Sequence, residues 1–439
     1  MFLKKFYLII LTLFLSISSK AQNTFSLINH QIKETIHFKL VNNLILLPLT
    51  INGKELTFLV DTGVKQSILF NASVSDSLDL KQVKKVLIRG LGEDDEFKAL
   101  ESKNNLLRIG NVVCPDFKVL IILDKRFDFS ARMGTDVNGI IGSELFKDFI
   151  VEVNYSKKKI SFNNPKTYRY KKCRKCATLP LKFHYQKPYI NGQINTTNGK
   201  SFPVKLLVDS GSGDSLWLFD KSLESYNIPS KNFDDLLGKG LGGDIFGKRS
   251  KLQSFNIHSF KFNDLVVSHP DSSSVIGNNI HFMRNGLIGS EILKRFHLIY
   301  DYPNKKITLK KNRKFYSNPF SYNKTGIEII HYGKVLVKEE KSRILFDKNS
   351  SNTKEIISTF SYSFKNAYQI SFIKANSVAD KIGLQKDDLI SSINGVDAYN
   401  FTLQQIIQKF SDKAGKNIHL KISRNGLFYH FYFTLEEML

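Results

Sequence analysis

The run Phe58-Leu59-Val60-Asp61-Thr62-Gly63 returns 148 residues later as Leu206-Leu207-Val208-Asp209-Ser210-Gly211. Each copy is an apolar, strand-like segment that would bury readily and carry the carboxylate after it into a low-dielectric interior. A lone aspartate there is costly. Two aspartates at contact distance share one proton and titrate in two separated steps, so one site holds an acid and a base together. The pairing of Asp61 with Asp209 is therefore the expected active site. Gly63 and Gly211 permit tight turns and close backbone approach, and the hydroxyls of Thr62 and Ser210 are placed to bond across the two loops.

Further landmarks repeat in the same order. Gly90-Leu91-Gly92 returns as Gly240-Leu241-Gly242, and Asn138-Gly139-Ile140-Ile141-Gly142-Ser143-Glu144 as Asn285-Gly286-Leu287-Ile288-Gly289-Ser290-Glu291. The tails match as well, Val153 to Ile160 against Tyr300 to Ile307. A repeat this long gives two similar domains, since solenoid units are far shorter.

At these residues the chain resembles the aspartic peptidases of the pepsin and retropepsin type, with two retropepsin-like lobes fused in one chain. The resemblance spans roughly residues 35 to 312. It implies that Asp61 and Asp209 are catalytic and that Thr62, Gly63, Ser210 and Gly211 support them. It also implies that flap hairpins carrying Gly90, Gly92, Gly240 and Gly242 cover the substrate, and that Ile140-Ile141-Gly142 and Leu287-Ile288-Gly289 thread the catalytic loops. No metal or other cofactor is required. The sequence departs from the family at Val64, where Ser or Ala is usual, and in lacking an evident flap tyrosine between Gly90 and Phe97. These departures are the grounds for the other reading, a catalytically inactive envelope protein that binds peptides on the same fold.

Each aspartate is expected on the second strand of a hairpin: Leu44 to Ile51, a turn at Asn52-Gly53, then Leu56 to Val60; and Tyr189 to Ile194, a turn at Asn198-Gly199, then Phe202 to Val208. A short helix is expected from Ser143 to Phe149. Many strands and short helices make the lobes mainly β, two pseudo-symmetric acid-protease barrels.

The C-terminal part resembles a PDZ domain over about residues 355 to 435. Tyr368 to Ile373, Asn376-Ser377-Val378-Ala379, Gly383 to Ile390 and Ile393-Asn394-Gly395 carry that likeness. It implies an α+β domain whose peptide groove is lined by a helix at Leu403 to Phe410, with a closing strand at Ile418 to Ser423. Phe360 to Phe364 is the expected groove edge, to which a peptide adds as a strand. Asp387-Asp388 stands where Gly-Asp is usual.

Residues 1–21 read as a secretory leader: Lys4 and Lys5, an apolar run from Phe6 to Ile17, and small residues up to Ala21. The run is short for a membrane span, so the mature chain is expected to be exported to the periplasm, cell envelope or exterior. The domains expected are thus the leader 1–21, a first lobe 22–165, a linker 166–178, a second lobe 179–312, a linker 313–323 and the PDZ domain 324–439.

The formal charge of +24 falls only to +21 when Lys4, Lys5 and Lys20 leave with the expected leader, so it belongs to the mature surface. Its lysines are dispersed among acids with no nucleic-acid module, so the expected partners are a polypeptide substrate and a peptide in the PDZ groove, with the chain a monomer. Cys173-Arg174-Lys175-Cys176 lacks the further ligands of a zinc site and reads as a small local disulfide or free thiols, with Cys114 a buried apolar residue. Gly238-x-Gly240-x-x-Gly243 matches a dinucleotide fingerprint as text only, because no helix is expected to open after it.

Overall fold

The computed structural model describes residues 23–70, 78–88, 97–124, 127, 129–240, 242–275, 284–313, 315, 319–346 and 354–439. The leader, and the first flap tip with Gly90 and Gly92, lie outside them. Among the described residues no helix is long and apolar enough to cross a membrane.

The fold is mainly β, and both lobes use one strand plan. In the first, Leu44–Ile51 pairs antiparallel with Lys54–Val60 through Asn52-Gly53, both at positive φ, as a two-residue turn of type I′ demands. Gly139–Ile141 then lies parallel to the second of these and antiparallel to Ile68–Phe70, which pairs with Val112–Ile122. The second lobe repeats the order with Lys187–Asn195, Ser201–Val208, Gly286–Ile288, Leu216–Leu218 and Phe260–Pro270. The threading strands begin with glycine because there is no room for more: a Cβ on Gly286 would lie 1.8 Å from the Trp217 carbonyl oxygen, and one on Gly139 2.3 Å from that of Ile68.

Two elements differ from expectation. The second-lobe turn is a longer loop, Thr196 to Lys200, in which only Gly199 has positive φ. The helical segment after Gly142 is a single 3-10 turn, Ser143–Phe146.

A third sheet joins the lobes. Its order is Cys176–Pro180, Lys306–Lys311, Phe296–Asp301, Ile150–Asn154, Lys159–Asn163, Lys33–His37. At its centre Ile150–Asn154 of the first lobe pairs antiparallel with Phe296–Asp301 of the second, from Ile150 opposite Asp301 to Asn154 opposite His297. Phe146 packs against Tyr300 and Tyr302 across the same junction, ring centroids 5.2 and 5.5 Å apart. One hydrophobic core therefore runs through both lobes, and each large apolar side chain buried in it contributes roughly 1.5–3 kcal/mol.

Cys173 and Cys176 form a disulfide and Cys114 is a buried free thiol. The segment after Asn312, expected as a plain linker, is anchored: Phe315 is buried among Phe260, Phe262 and Phe296.

The C-terminal sheet runs Ile327–Phe346, Lys354–Ile373, Leu389–Ile393, Asn417–Arg424, Leu427–Thr434. Its helix is Leu403–Phe410, opened by a Thr402/Gln405 capping box and burying Leu403, Ile406 and Phe410. Asp387 adopts φ +73°, the left-handed conformation a glycine takes easily, and the buried Asp388 receives two hydrogen bonds from Arg424.

The groove edge is not Phe360 to Phe364. Those residues pair with Glu340 to Leu336 inside a long projecting hairpin, with Phe360, Tyr362 and Phe364 facing solvent. The edge strand of the sheet is Ile327–Phe346, which lies against the helix Leu403–Phe410 and against the first lobe, with Ile327 and Ile329 buried. The domain touches both lobes. Leu403 meets Gly134, at the end of the four-residue helix Ser130–Met133, and Lys251 bonds Glu437 and the Leu439 carbonyl.

Candidate active site

Val60 and Val208 end their strands fully buried, and the next residue of each copy turns into the cleft between the lobes. The backbone N–H of Asp61 donates to Ile141 and that of Asp209 to Ile288, both at 3.0 Å, so the threading strands hold both aspartates. Asn138 and Asn285 accept from the N–H of Thr57 and Lys205, at 2.8 and 2.7 Å, locking each threading strand to its partner.

The hydroxyls cross between lobes. Thr62 Oγ1 donates to the Val208 carbonyl at 2.6 Å and accepts from the Ser210 N–H at 3.0 Å; Ser210 Oγ donates to the Val60 carbonyl at 2.8 Å and accepts from the Thr62 N–H at 3.0 Å. All four bonds are buried.

This grip seats each carboxyl over the other lobe's glycine. A Cβ on Gly211 would stand 2.2 Å from Asp61 Cγ, and one on Gly63 2.8 Å from Asp209 Cγ. Within its own loop, Asp61 Oδ1 accepts from the Gly63 N–H at 2.7 Å and Asp209 Oδ1 from the Gly211 N–H at 2.9 Å. The two carboxyls therefore face each other across the loops, near enough for the charge of one to act on the other. Burial, and then the neighbouring Asp209 charge, hold the Asp61 carboxyl well above the ordinary value of 3.8, against the pull of the Gly63 N–H and of Lys187. The pair can hold one proton between two carboxyls.

Of the other expected residues, Gly240 pairs with Gly243 at the tip of the hairpin Asn232–Gly240 and Gly243–Ile257, and Gly242 sits in the turn. That hairpin has no helix after it, as the rejection of the dinucleotide reading requires. Asp244 beside the tip pairs with Arg132 of the first lobe at 3.0 Å. Val64 packs into the first lobe's apolar cluster, while its carbonyl accepts from the Ser143 N–H at 2.8 Å. The position works through its backbone.

Several residues at the site carried no role in the sequence reading. Glu144 is buried and accepts from Ser67 N–H and Oγ and from Asn23, fastening the turn after the threading strand. Asp214 accepts from Trp217 Nε1 at 2.7 Å and from Ser268 Oγ at 2.8 Å, and it pairs with Arg249 at 3.2 Å. Lys187 and Arg284 line the cleft beside the dyad. Superposing the two repeats would have flagged both, because the first lobe has Leu44 and Val137 at those places.

Residues 47–145 match the family model of an aspartyl protease, and residues 348–423 that of a PDZ domain. A search of curated proteins finds no match.

Proposed function

We propose that this chain, which carries an aspartyl protease domain and a C-terminal PDZ domain, is an exported aspartic-type endopeptidase with Asp61 and Asp209 as its catalytic pair. The observation that carries the reading is the mutual seating of the two carboxyls, each over the other lobe's glycine. One carboxylate takes a proton from water as the water oxygen attacks the peptide carbonyl carbon, while the protonated partner donates to the carbonyl oxygen. The tetrahedral adduct then collapses: the C–N bond breaks, the nitrogen takes a proton from the dyad, and the acid and amine leave with the shared proton restored. Gly63 and Gly211 N–H groups keep both carboxyls oriented through the cycle.

The PDZ domain would bind a peptide or chain terminus as an added strand in a groove lined by the helix Leu403–Phe410. Export is supported by the leader-like residues 1–21 and by the Cys173–Cys176 disulfide, which suits an oxidising compartment.

The test is incubation of the purified full chain with denatured casein between about pH 3 and 8, a range that brackets a shared-proton pair. Fragments should accumulate with wild type and be absent with Asp209→Ala at the same protein concentration. Binding of casein without a cut at any pH would sink the hydrolytic reading.

A further inference from the structure

Arg284 is only 6 % exposed, and its Nε and Nη1 have no hydrogen-bond partner among the described residues. Its guanidinium carbon lies 5.3 Å from the Phe219 ring centroid and it lines the cleft. The chain treats its other buried guanidiniums differently. Arg295 donates to the Glu291 carboxylate and to two backbone carbonyls, and Arg249 is held by Asp214 and Asp235. A buried cation without a partner is strongly unfavourable, so Arg284 is a group kept open at a cost in stability.

Lys187, partly buried on the same side of the cleft, has no hydrogen bond or ion pair among the described residues. Burial and the neighbouring Arg284 hold its ammonium below the ordinary pKa. Both cations feel the charges of Asp61 and Asp209. A dyad sharing one proton carries one net negative charge, which two cations exceed. Beside the dyad, positive charge thus outnumbers negative by one.

The equivalent positions of the first lobe are apolar. Leu46 pairs with Leu59 as Tyr189 pairs with Leu207, so Leu44 stands where the second lobe has Lys187. Val137 precedes Asn138 as Arg284 precedes Asn285, and Val137, Leu59 and Ile140 form one apolar cluster with Leu44 packed on it. The two halves of the site thus share a backbone plan and differ in charge.

We propose that Arg284 and Lys187 form a carboxylate-binding subsite, so that the substrate sets an acidic side chain or its own terminal carboxylate on the second-lobe side of the cut bond and an apolar residue on the first-lobe side. This rests on the hydrolytic reading above. Arg supplies a planar fork that meets a carboxylate with two parallel bonds, and Lys adds a point charge.

The experiment is digestion of a defined peptide mixture by the full chain, with cut sites read by mass spectrometry, for wild type, Arg284→Met and Lys187→Leu. Wild type should favour bonds flanked on one side by Asp or Glu over the same bonds with Asn or Gln by about tenfold or more, the scale at which a buried polar site discriminates. The ratio should collapse toward one in Arg284→Met and fall in Lys187→Leu. A preference confined to free C-termini and lost on amidation would assign the terminal carboxylate; one that survives amidation would assign the side chain. No acidic preference in wild type, or a preference intact in both variants, overturns the proposal. If wild type cuts nothing, the hydrolytic reading fails, and anisotropy of labelled Glu and Gln peptides on the full chain then judges the subsite, equal affinities overturning it. Arg284→Met should also raise Tm by about 2–4 °C, the response of a lobe this size to relieving a modest strain; a fall in Tm would mean the guanidinium has a structural partner and would count against the subsite.

Discussion

Replacing either aspartate of the dyad by asparagine is expected to lower the rate of peptide cleavage at least ~10⁴-fold, with Asp61→Asn and Asp209→Asn equally inactive and the double variant no worse. Groups that act as one unit do not lose activity additively. Asparagine preserves shape and most hydrogen bonds, but it can neither take a proton from water nor return one to the leaving nitrogen. The same substitution has an opposite effect on stability. The Asp61 carboxyl binds its proton more tightly in the folded chain than the ordinary value of 3.8, so it contributes stability that is fully present below that pH and is lost as pH rises through its raised folded value. Asp61→Asn, with no charge to bury, should therefore have a higher Tm than wild type at pH about 7, the two curves converging on acidification. Calorimetry across pH beside a casein digest checks both halves. A variant that is inactive and also less stable at neutral pH would show that Asp61 is a structural anchor rather than half of an acid–base pair.

The second large effect belongs to the crossed hydroxyls. Thr62→Val leaves the buried Ser210 N–H and Val208 carbonyl without partners, and Ser210→Ala does the same to the Thr62 N–H and the Val60 carbonyl. Each orphaned buried group costs about 1–3 kcal/mol, so either variant should lose roughly 2–5 kcal/mol, and cleavage should fall with it because the grip also seats the carboxyls. Thr62→Ser and Ser210→Thr keep the hydroxyls and should recover most of the loss. Because the bonds join the two lobes, the double variant should lose less than the sum of the singles. Denaturant titration of the four single variants and the double variant measures this, and additive losses would mean that the two hydroxyls act separately.

The dyad, its glycines and the grip were legible because each is a residue type demanded by local chemistry and repeated at nearly fixed spacing. The helix Leu403–Phe410 was legible only through the likeness to a PDZ domain. Lys187 and Arg284 were not read: a single cation at the start of a strand or just before one reads as a solvated position unless the two repeats are laid side by side, and tertiary packing is what brings these two beside the dyad. Phe360 to Phe364 misled because its aromatic alternation suggests a half-buried strand, whereas the structure points that face at solvent, with Tyr362 65 % exposed. Phe315 misled in the other direction, an aromatic among the polar and basic residues of an expected linker that the second lobe's core takes up. The strand Leu427–Thr434 went unread, since nothing before it separates a last strand from a tail.

The sheet that joins the lobes decides how a polypeptide could reach the dyad. Swinging the halves apart like a clamshell would sever five paired residues between Ile150–Asn154 and Phe296–Asp301 together with the aromatic junction behind them. Among the described residues the hairpin Asn232–Gly240 and Gly243–Ile257 is tied to the first lobe far more lightly, by the half-exposed Arg132–Asp244 pair, a contact of about 0–1 kcal/mol. Displacing that hairpin costs far less than parting the joining sheet, so the cleft would widen at the hairpin before the two halves separate.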